Sequence, residues 1–205
     1  MKIHYFLEGD LGYDYRDSWI KYCPGCELVE WNSRNIPHIQ ELAPYSKSWS
    51  VLSDFVRRWA IFEFGGIYLD FDVELIKDIR PLFTIPPFVC IEGKPIYPNA
   101  AVTGGQKGNR FHEEMLDDYL DVLNGIISYP TRMELACSPW VLKDYVEKLK
   151  GSPLDETDLY EIKEHDGLIT LPKEYFYPYN WNEEPGGITK NTVGIHYWKK
   201  GWDKL

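Results

Sequence analysis

Three observations make this chain an α/β protein with helices on both sides of a sheet. Apolar runs of strand length alternate with segments of helical spacing along its 205 residues. The run at 67–73, "IYLDFDV", is apolar up to Asp70, as expected of a strand covered on both faces. Gly65-Gly66 separates it from the amphipathic segment before it, in the way a helix stops on a left-handed residue. Together they predict a three-layer α/β domain, with mixed strand pairing toward its end.

In order, "KIHYFL" reads as a first strand, then a Gly/Asp-rich loop and a short helix over 15–22. "CELVEWN" reads as a second strand. From Ser48 to Phe64, Leu52, Phe55, Val56, Trp59, Ala60 and Phe62 recur near helical spacing. After "IYLDFDV", short strands fall at "FVCIEG" and "AAVTGG", with helices near 109–124 and 138–150. "GLITLP" is a strand, "EYFYPYNWNEE" an aromatic loop, and "TVGIHYW" a last strand. No repeat, linker or low-complexity tract divides the chain, so one domain over 1–205 is expected.

A net charge of −10 argues against binding nucleic acid or an anionic membrane through a broad basic surface. No apolar stretch approaches the length of a membrane span, and "MKIHYFLEGD" reaches charge too early for a signal peptide. The expected location is cytoplasmic, or peripheral to the inner face of a membrane. "CPGC" has thioredoxin-type spacing. It follows a helical pattern and precedes a strand, the reverse of the redox context, so Cys23 and Cys26 are expected as reduced thiols around a turn.

The chemistry gathers around Asp70 and Asp72. On a strand, alternate residues share a face, which predicts the two carboxylates side by side, Cα atoms roughly 6–7 Å apart. Carboxylates that close raise each other's pKa unless a cation neutralises them. Oxygen ligands of this kind suit Mn²⁺ or Mg²⁺; a solvated strand end is the ordinary alternative. One helix earlier, Asp54 and Arg57 share a helical face. They make either a local ion pair or a carboxylate and guanidinium for sugar and phosphate oxygens. The tight return at Gly65-Gly66 lets both pairs face one crevice at the carboxyl end of the strand.

The stretch "SDFVRRWAIFEFGGIYLDFDVELIKDI" closely resembles the DXD sugar-binding segment of glycosyltransferase family 32. That family includes yeast α-mannosyltransferases and bacterial capsule and lipopolysaccharide enzymes, and is related to clostridial glucosylating toxins. The matching pattern is S-D-x-x-R followed by G-G-x-Y-x-D-x-D. "IHYFLEG", "SWIKYCPGCELVEWN" and "GIHYWKKGW" resemble the family's opening strand, its S-W…P…W segment and its closing H-x-W-x-x-S-W. The middle of the chain matches weakly, with "CSPW" at 137–140 in the place of a T-G-P motif.

The resemblance implies a GT-A fold with a mixed central sheet. It also implies a divalent metal, usually Mn²⁺ and otherwise Mg²⁺, bridging a nucleotide-sugar diphosphate. Carried over, Asp72 ligates the metal, Asp70 meets ribose and metal, and Asp54 and Arg57 hold the transferred sugar. Tyr68 lines the donor pocket, His196 completes the metal or diphosphate site, and Trp202 bonds the diphosphate. Two positions depart from the pattern. Leu7 stands where the family usually has a Trp that stacks on the base, leaving Phe6 or Tyr5 as substitutes. Gly201 stands where it has a Ser. Lys199 and Lys200 are candidates to screen the diphosphate.

The implied function is a metal-dependent retaining transfer of a hexose from a UDP- or GDP-linked donor to a saccharide or lipid-linked saccharide acceptor, in surface-glycan synthesis. Two rivals stand beside it. One is a domain that binds a nucleotide sugar or glycan without transfer. The other is a haloacid-dehalogenase-type phosphatase, whose nucleophile would be Asp70; its later paired acids are matched only by Asp117-Asp118, in a helical pattern.

Overall fold

The structure, a computed structural model, describes residues 1–37, 49–93, 95–123, 139–179 and 186–199, with side chains at 118–123, 139 and 140 also outside the description. Nine strands and four α-helices are described: β1 (Lys2–Phe6), α1 (Arg16–Tyr22), β2 (Glu27–Trp31), α2 (Trp49–Phe64), β3 (Gly66–Leu69), β4 (Val73–Leu75), β5 (Phe88–Ile91), β6 (Pro98–Gly105), α3 (Arg110–Leu123), α4 (Pro139–Lys150), β7 (Lys163–His165), β8 (Leu168–Leu171) and β9 (Gly194–His196). Seven of the strands form one sheet, in the order β2-β1-β3-β6-β5-β8-β7. β1 runs parallel to β2 and β3, whereas β6 is antiparallel to both its neighbours, β3 and β5. The mixed pairing expected near the chain's end is present there, with β7 antiparallel to β8, and it also occurs at β6 in the centre of the sheet.

Alternation along the strands creates the layers. In β1 and β3, Ile3, Tyr5, Ile67 and Leu69 enter a core that contains Trp19 of α1. Phe6 and Tyr68 point the other way, onto Leu52, Phe55, Val56 and Ile61 of α2. In β5, Phe88 and Cys90 join the first core, while Val89 meets Phe111, Leu142 and Val146 under α3 and α4.

Gly65 and Gly66 make the return from α2 possible. Gly65 closes the helix with its N–H on the Ile61 carbonyl at 2.8 Å, at φ +66°. Gly66 sits at φ +120°, and a Cβ there would lie 2.5 Å from the Lys2 carbonyl oxygen of β1. Only glycine fits both the torsion and the approach.

Two expectations are corrected. "IYLDFDV" is not one strand. β3 ends at Leu69, the Val73 N–H bonds the Asp70 carbonyl at 3.0 Å, and β4 leaves the main sheet to pair with β9. The aspartates thus stand on a turn, because β4 finds its partner in the distant C-terminal strand. Cys23 and Cys26 are bonded to each other rather than reduced. Gly25 at φ +83° and the Cys26 N–H to Cys23 carbonyl bond close a turn that brings their Cα atoms to 5.6 Å, within disulfide reach. Cys90 is free and buried, and Cys137 lies outside the described residues.

Two fully enclosed imidazoles, His4 and His112, contribute to the acid response of this fold. His4 takes the Trp31 indole N–H on Nδ1 and meets the Gly65 carbonyl with Nε2; burial lowers its pKa to about 4. His112 lies between Asn109 and Thr103, and burial lowers its pKa to about 3. Both pKa values fall below the unfolded value of about 6.5, so the stabilisation is present above that pH and lost as pH falls toward the folded values. The unfolding free energy from urea titration should therefore be lower at pH 5 than at pH 7, by up to about 2 kcal/mol for each histidine, with correspondingly lower midpoints. Equal midpoints would contradict the assignment of both rings as neutral.

Candidate active site

The turn between β3 and β4 is held from below and from the side. Phe71, between the two aspartates, is buried against Tyr5, Tyr13 and Trp19. The Trp19 indole N–H bonds the Val73 carbonyl at 2.7 Å, and Ser18 Oγ accepts from the Leu75 N–H. With Phe71 anchored inward, Asp70 and Asp72 turn toward a cavity of about 420 Å³, the size of small-molecule sites.

The pairing of β4 with β9 sets Val73 opposite His196 and brings the C-terminal segment to Asp72. His196 Nε2 lies 3.1 Å from Asp72 Oδ1, the Lys199 N–H donates to Asp72 Oδ2 at 2.7 Å, and the Tyr197 N–H to the Asp72 carbonyl. Asp70, Asp72 and His196 offer ligand atoms that all lie within 4.8 Å of one another. The His196 ring packs on Trp198 at 4.2 Å and on the edge of Tyr177 at 5.6 Å, and its Nδ1 is buried without a hydrogen-bond partner among the described residues.

On the opposite wall, α2 supplies Asp54 and Arg57. The buried guanidinium lies 3.2 Å from Asp54 and 3.1 Å from Asp70, and 5.1 Å from the Tyr68 ring centroid. Burial opposes its charge, but Asp54 and Asp70 together hold its pKa above the ordinary value. Burial also raises the Asp70 carboxyl; Arg57 counters this and the neighbouring Asp72 adds to it. The site is therefore short of positive charge.

Phe6, Asp54, Arg57, Tyr68, Asp70, Asp72 and His196 all line this one cavity. Leu7 does not; it packs against the core on the α1 side. Trp202, Gly201 and Lys200 lie outside the described residues, as do 180–185 of the aromatic loop and 137–138 of "CSPW". Sequence reasoning overlooked Tyr13, Trp49, Asn99, Leu142 and Trp198, which also line the cavity. Trp198 had a signal, as the tryptophan of the H-x-W match. Tyr13 had a weaker one, an aromatic inside the glycine-rich loop after β1. Asp70, which the phosphatase reading needs as its nucleophile, is ion-paired with Arg57.

The sequence profile of the family described as "Glycosyltransferase sugar-binding region containing DXD motif" matches residues 10–89. Lactosylceramide 4-alpha-galactosyltransferase of Pongo pygmaeus is 27% identical over 164 residues, covering 73% of this chain and 67% of that protein. The Homo sapiens enzyme of the same name is 26% identical over the same length, and there the chain spans only 42% of the relative. Among solved structures, a glycosyltransferase involved in glycosylation of the major capsid of PBCV-1 superposes with a TM-score of 0.53 at 14% identity, over 96% of this chain and 92% of that one. The galactosyltransferase LgtC, in complex with donor and acceptor sugar analogs, superposes at 0.51 and 12% identity, over 97% and 87%. Residues 10–89 of this chain thus match the DXD-containing sugar-binding region of glycosyltransferases, and the chain as a whole has a GT-A fold.

Proposed function

We propose that this chain, as one domain, is a metal-dependent retaining hexosyltransferase that uses a nucleotide-diphosphate sugar, with a UDP-linked donor favoured over GDP-mannose. The observation that carries it is the Asp70–Asp72–His196 cluster facing Arg57 and Asp54 across one cavity. Two carboxylates and an imidazole suit Mn²⁺, with Mg²⁺ as the harder alternative. The donor set fits an ion, since a buried His196 nitrogen is without a partner and burial and Asp72 both act against the charge on Asp70. When bound, the ion would stabilise negative charge on the departing diphosphate.

The chain's own residues do the rest. Arg57, fixed by two carboxylates, turns Asp54 toward the cavity as an acceptor for sugar hydroxyls. Tyr68 and Phe6 form the apolar floor, which excludes water from the reacting carbon. The carboxylates lining the cavity are Glu8, Asp54, Asp70 and Asp72. Glu8 accepts from the Ser33 N–H, Asp54 and Asp70 are paired with Arg57, and Asp72 with His196. None of these stands out as the nucleophile of a double displacement. This supports front-face attack, in which a donor phosphate oxygen takes the acceptor's proton.

The relatives named for 4-alpha-galactosyl transfer make galactose the first sugar to test, on a saccharide or lipid-linked saccharide acceptor. No described helix is long and apolar enough to cross a membrane. We take the location to be cytoplasmic or peripheral to a membrane's inner face. Calorimetric titration with UDP and GDP, each with and without Mn²⁺, should show binding of one nucleotide that requires the metal. Slow metal-dependent hydrolysis of the matching sugar nucleotide would then separate a transferase from a binding domain. Binding of neither nucleotide would remove the donor assignment.

A further inference from the structure

The Cys23–Cys26 disulfide ties the end of α1 to the chain entering β2, and α1 in turn clasps β4, the strand that begins directly after Asp72. Trp19 donates its indole N–H to the Val73 carbonyl at 2.7 Å, and Ser18 Oγ accepts the Leu75 N–H at 3.0 Å. β4 is thus held by α1 at both ends while it pairs with β9, the pairing that sets Asp72 beside His196. Trp19 and Cys23 stand one helical turn apart. The Cys23 N–H closes α1 on the Trp19 carbonyl at 2.8 Å, and both side chains are buried in the core that contains Phe71 and Val73.

α1 has seven residues and no side-chain hydrogen bond at its N-cap. A helix that short does not sustain itself in water, so its position depends on what fixes its ends. The disulfide supplies a covalent tie at one of them. Without it the turn rests on Gly25 at φ +83° and on the Cys26 N–H to Cys23 carbonyl bond of 3.1 Å. The two sulfurs differ in access. Cys23 is 1% exposed, whereas Cys26 is only partly buried and follows the exposed Pro24 and Gly25, so a thiolate reaches Cys26 first. Cys23 is buried at the C-terminal end of a helix, where nothing stabilises its thiolate. The pair is therefore built to hold the chain rather than to exchange disulfides with other proteins.

We propose that the Cys23–Cys26 disulfide is a redox lock on the candidate active site: closed, it fixes α1 against β4; opened by a dithiol, it releases α1 and loosens the Asp72–His196 pair. In that step a thiolate of the reductant attacks the Cys26 sulfur, and the Cys23 sulfur leaves and takes a proton. The reductant's second thiol then displaces Cys26 and forms the reductant's own disulfide, so the protein gains two electrons and two protons. In a reducing compartment the lock rests open, and oxidation closes it.

The nucleotide readout rests on the donor reading above; the amide-exchange readout does not. Wild type, oxidised or reduced with a phosphine, and Cys26→Ala would be titrated calorimetrically with UDP and GDP in Mn²⁺. Alkylation and mass spectrometry report the state of the pair. For the base that binds, reduction should weaken affinity about tenfold, and Cys26→Ala should match the reduced protein and ignore the phosphine. The two states of the wild type decide the matter should the variant fail to fold. Amide exchange over 73–75 and 194–196 should quicken on reduction with no nucleotide present. By linkage, nucleotide in Mn²⁺ should make the disulfide about 30 mV harder to reduce in a glutathione buffer, the equivalent of that tenfold. Equal affinity in both states, a response that persists in Cys26→Ala, or unchanged exchange over 73–75 would overturn the lock while leaving the donor site standing. No binding of either nucleotide to the oxidised wild type would overturn the donor reading, and the control of it as well.

Discussion

Asp72→Asn should abolish metal-dependent nucleotide binding while leaving the fold in place. The carboxylate has one oxygen 3.1 Å from His196 Nε2 and the other on the Lys199 N–H, so it both offers a ligand atom and ties down the C-terminal segment. Asparagine keeps the shape and one acceptor oxygen but loses the charge. We expect nucleotide affinity in Mn²⁺ to fall at least about a hundredfold, the upper end of what even supporting residues of a metal site cost. Affinity without metal should barely change, because the base and ribose contacts remain. The melting temperature should move little, since Phe71 and the Trp19–Val73 bond anchor the turn independently. Calorimetry with and without Mn²⁺, beside a thermal melt, reads all three. Undiminished metal-dependent binding would refute Asp72 as the metal ligand.

The second large effect is on stability. Arg57→Met should destabilise the protein by about 3 kcal/mol at pH 7, because it strands Asp54 and Asp70 beside each other with no countercharge. The figure is the lower end for breaking buried pairs, since Asp70 is partly open to the cavity. The sign of the pH dependence is testable. Burial already raises the Asp70 carboxyl, and Arg57 is the main influence holding it down. Without Arg57 its folded pKa moves further above the unfolded value of about 3.9. The deficit is then largest at neutral pH and shrinks as pH falls toward 4, where the carboxyl protonates in the folded state. Urea unfolding of wild type and variant at pH 7 and pH 4.5 measures it. A deficit independent of pH would mean that lost packing against Tyr68, not unpaired charge, is the cause.

The local order of this chain was legible in its residues. Helical spacing over 48–64 and the double glycine predicted α2 and its stop, and the short apolar runs predicted β1, β2, β5, β6 and β8 close to their observed limits. Asp54, Arg57, Asp70 and Asp72 were legible as a group because they lie within one helix–turn–strand unit, where spacing alone decides which side chains can meet. Even there the reason was different. The aspartates converge on a turn that ends a strand, not along a continuous one, because β4 pairs with β9 more than a hundred residues away.

Contacts of that separation leave no periodic trace in a sequence. Tertiary structure alone decided that mixed pairing extends to β6 in the sheet's centre, and that Leu7 faces the core while Tyr13 reaches the cavity. The resemblance implied His196 at the metal site, but only the two-stranded sheet shows how His196 and Lys199 reach Asp72. The sequence determined which residues carry chemistry and which local segments hold them. The long-range pairing of β4 with β9, driven by unsatisfied backbone groups at two distant chain segments, decided which of those residues share a site.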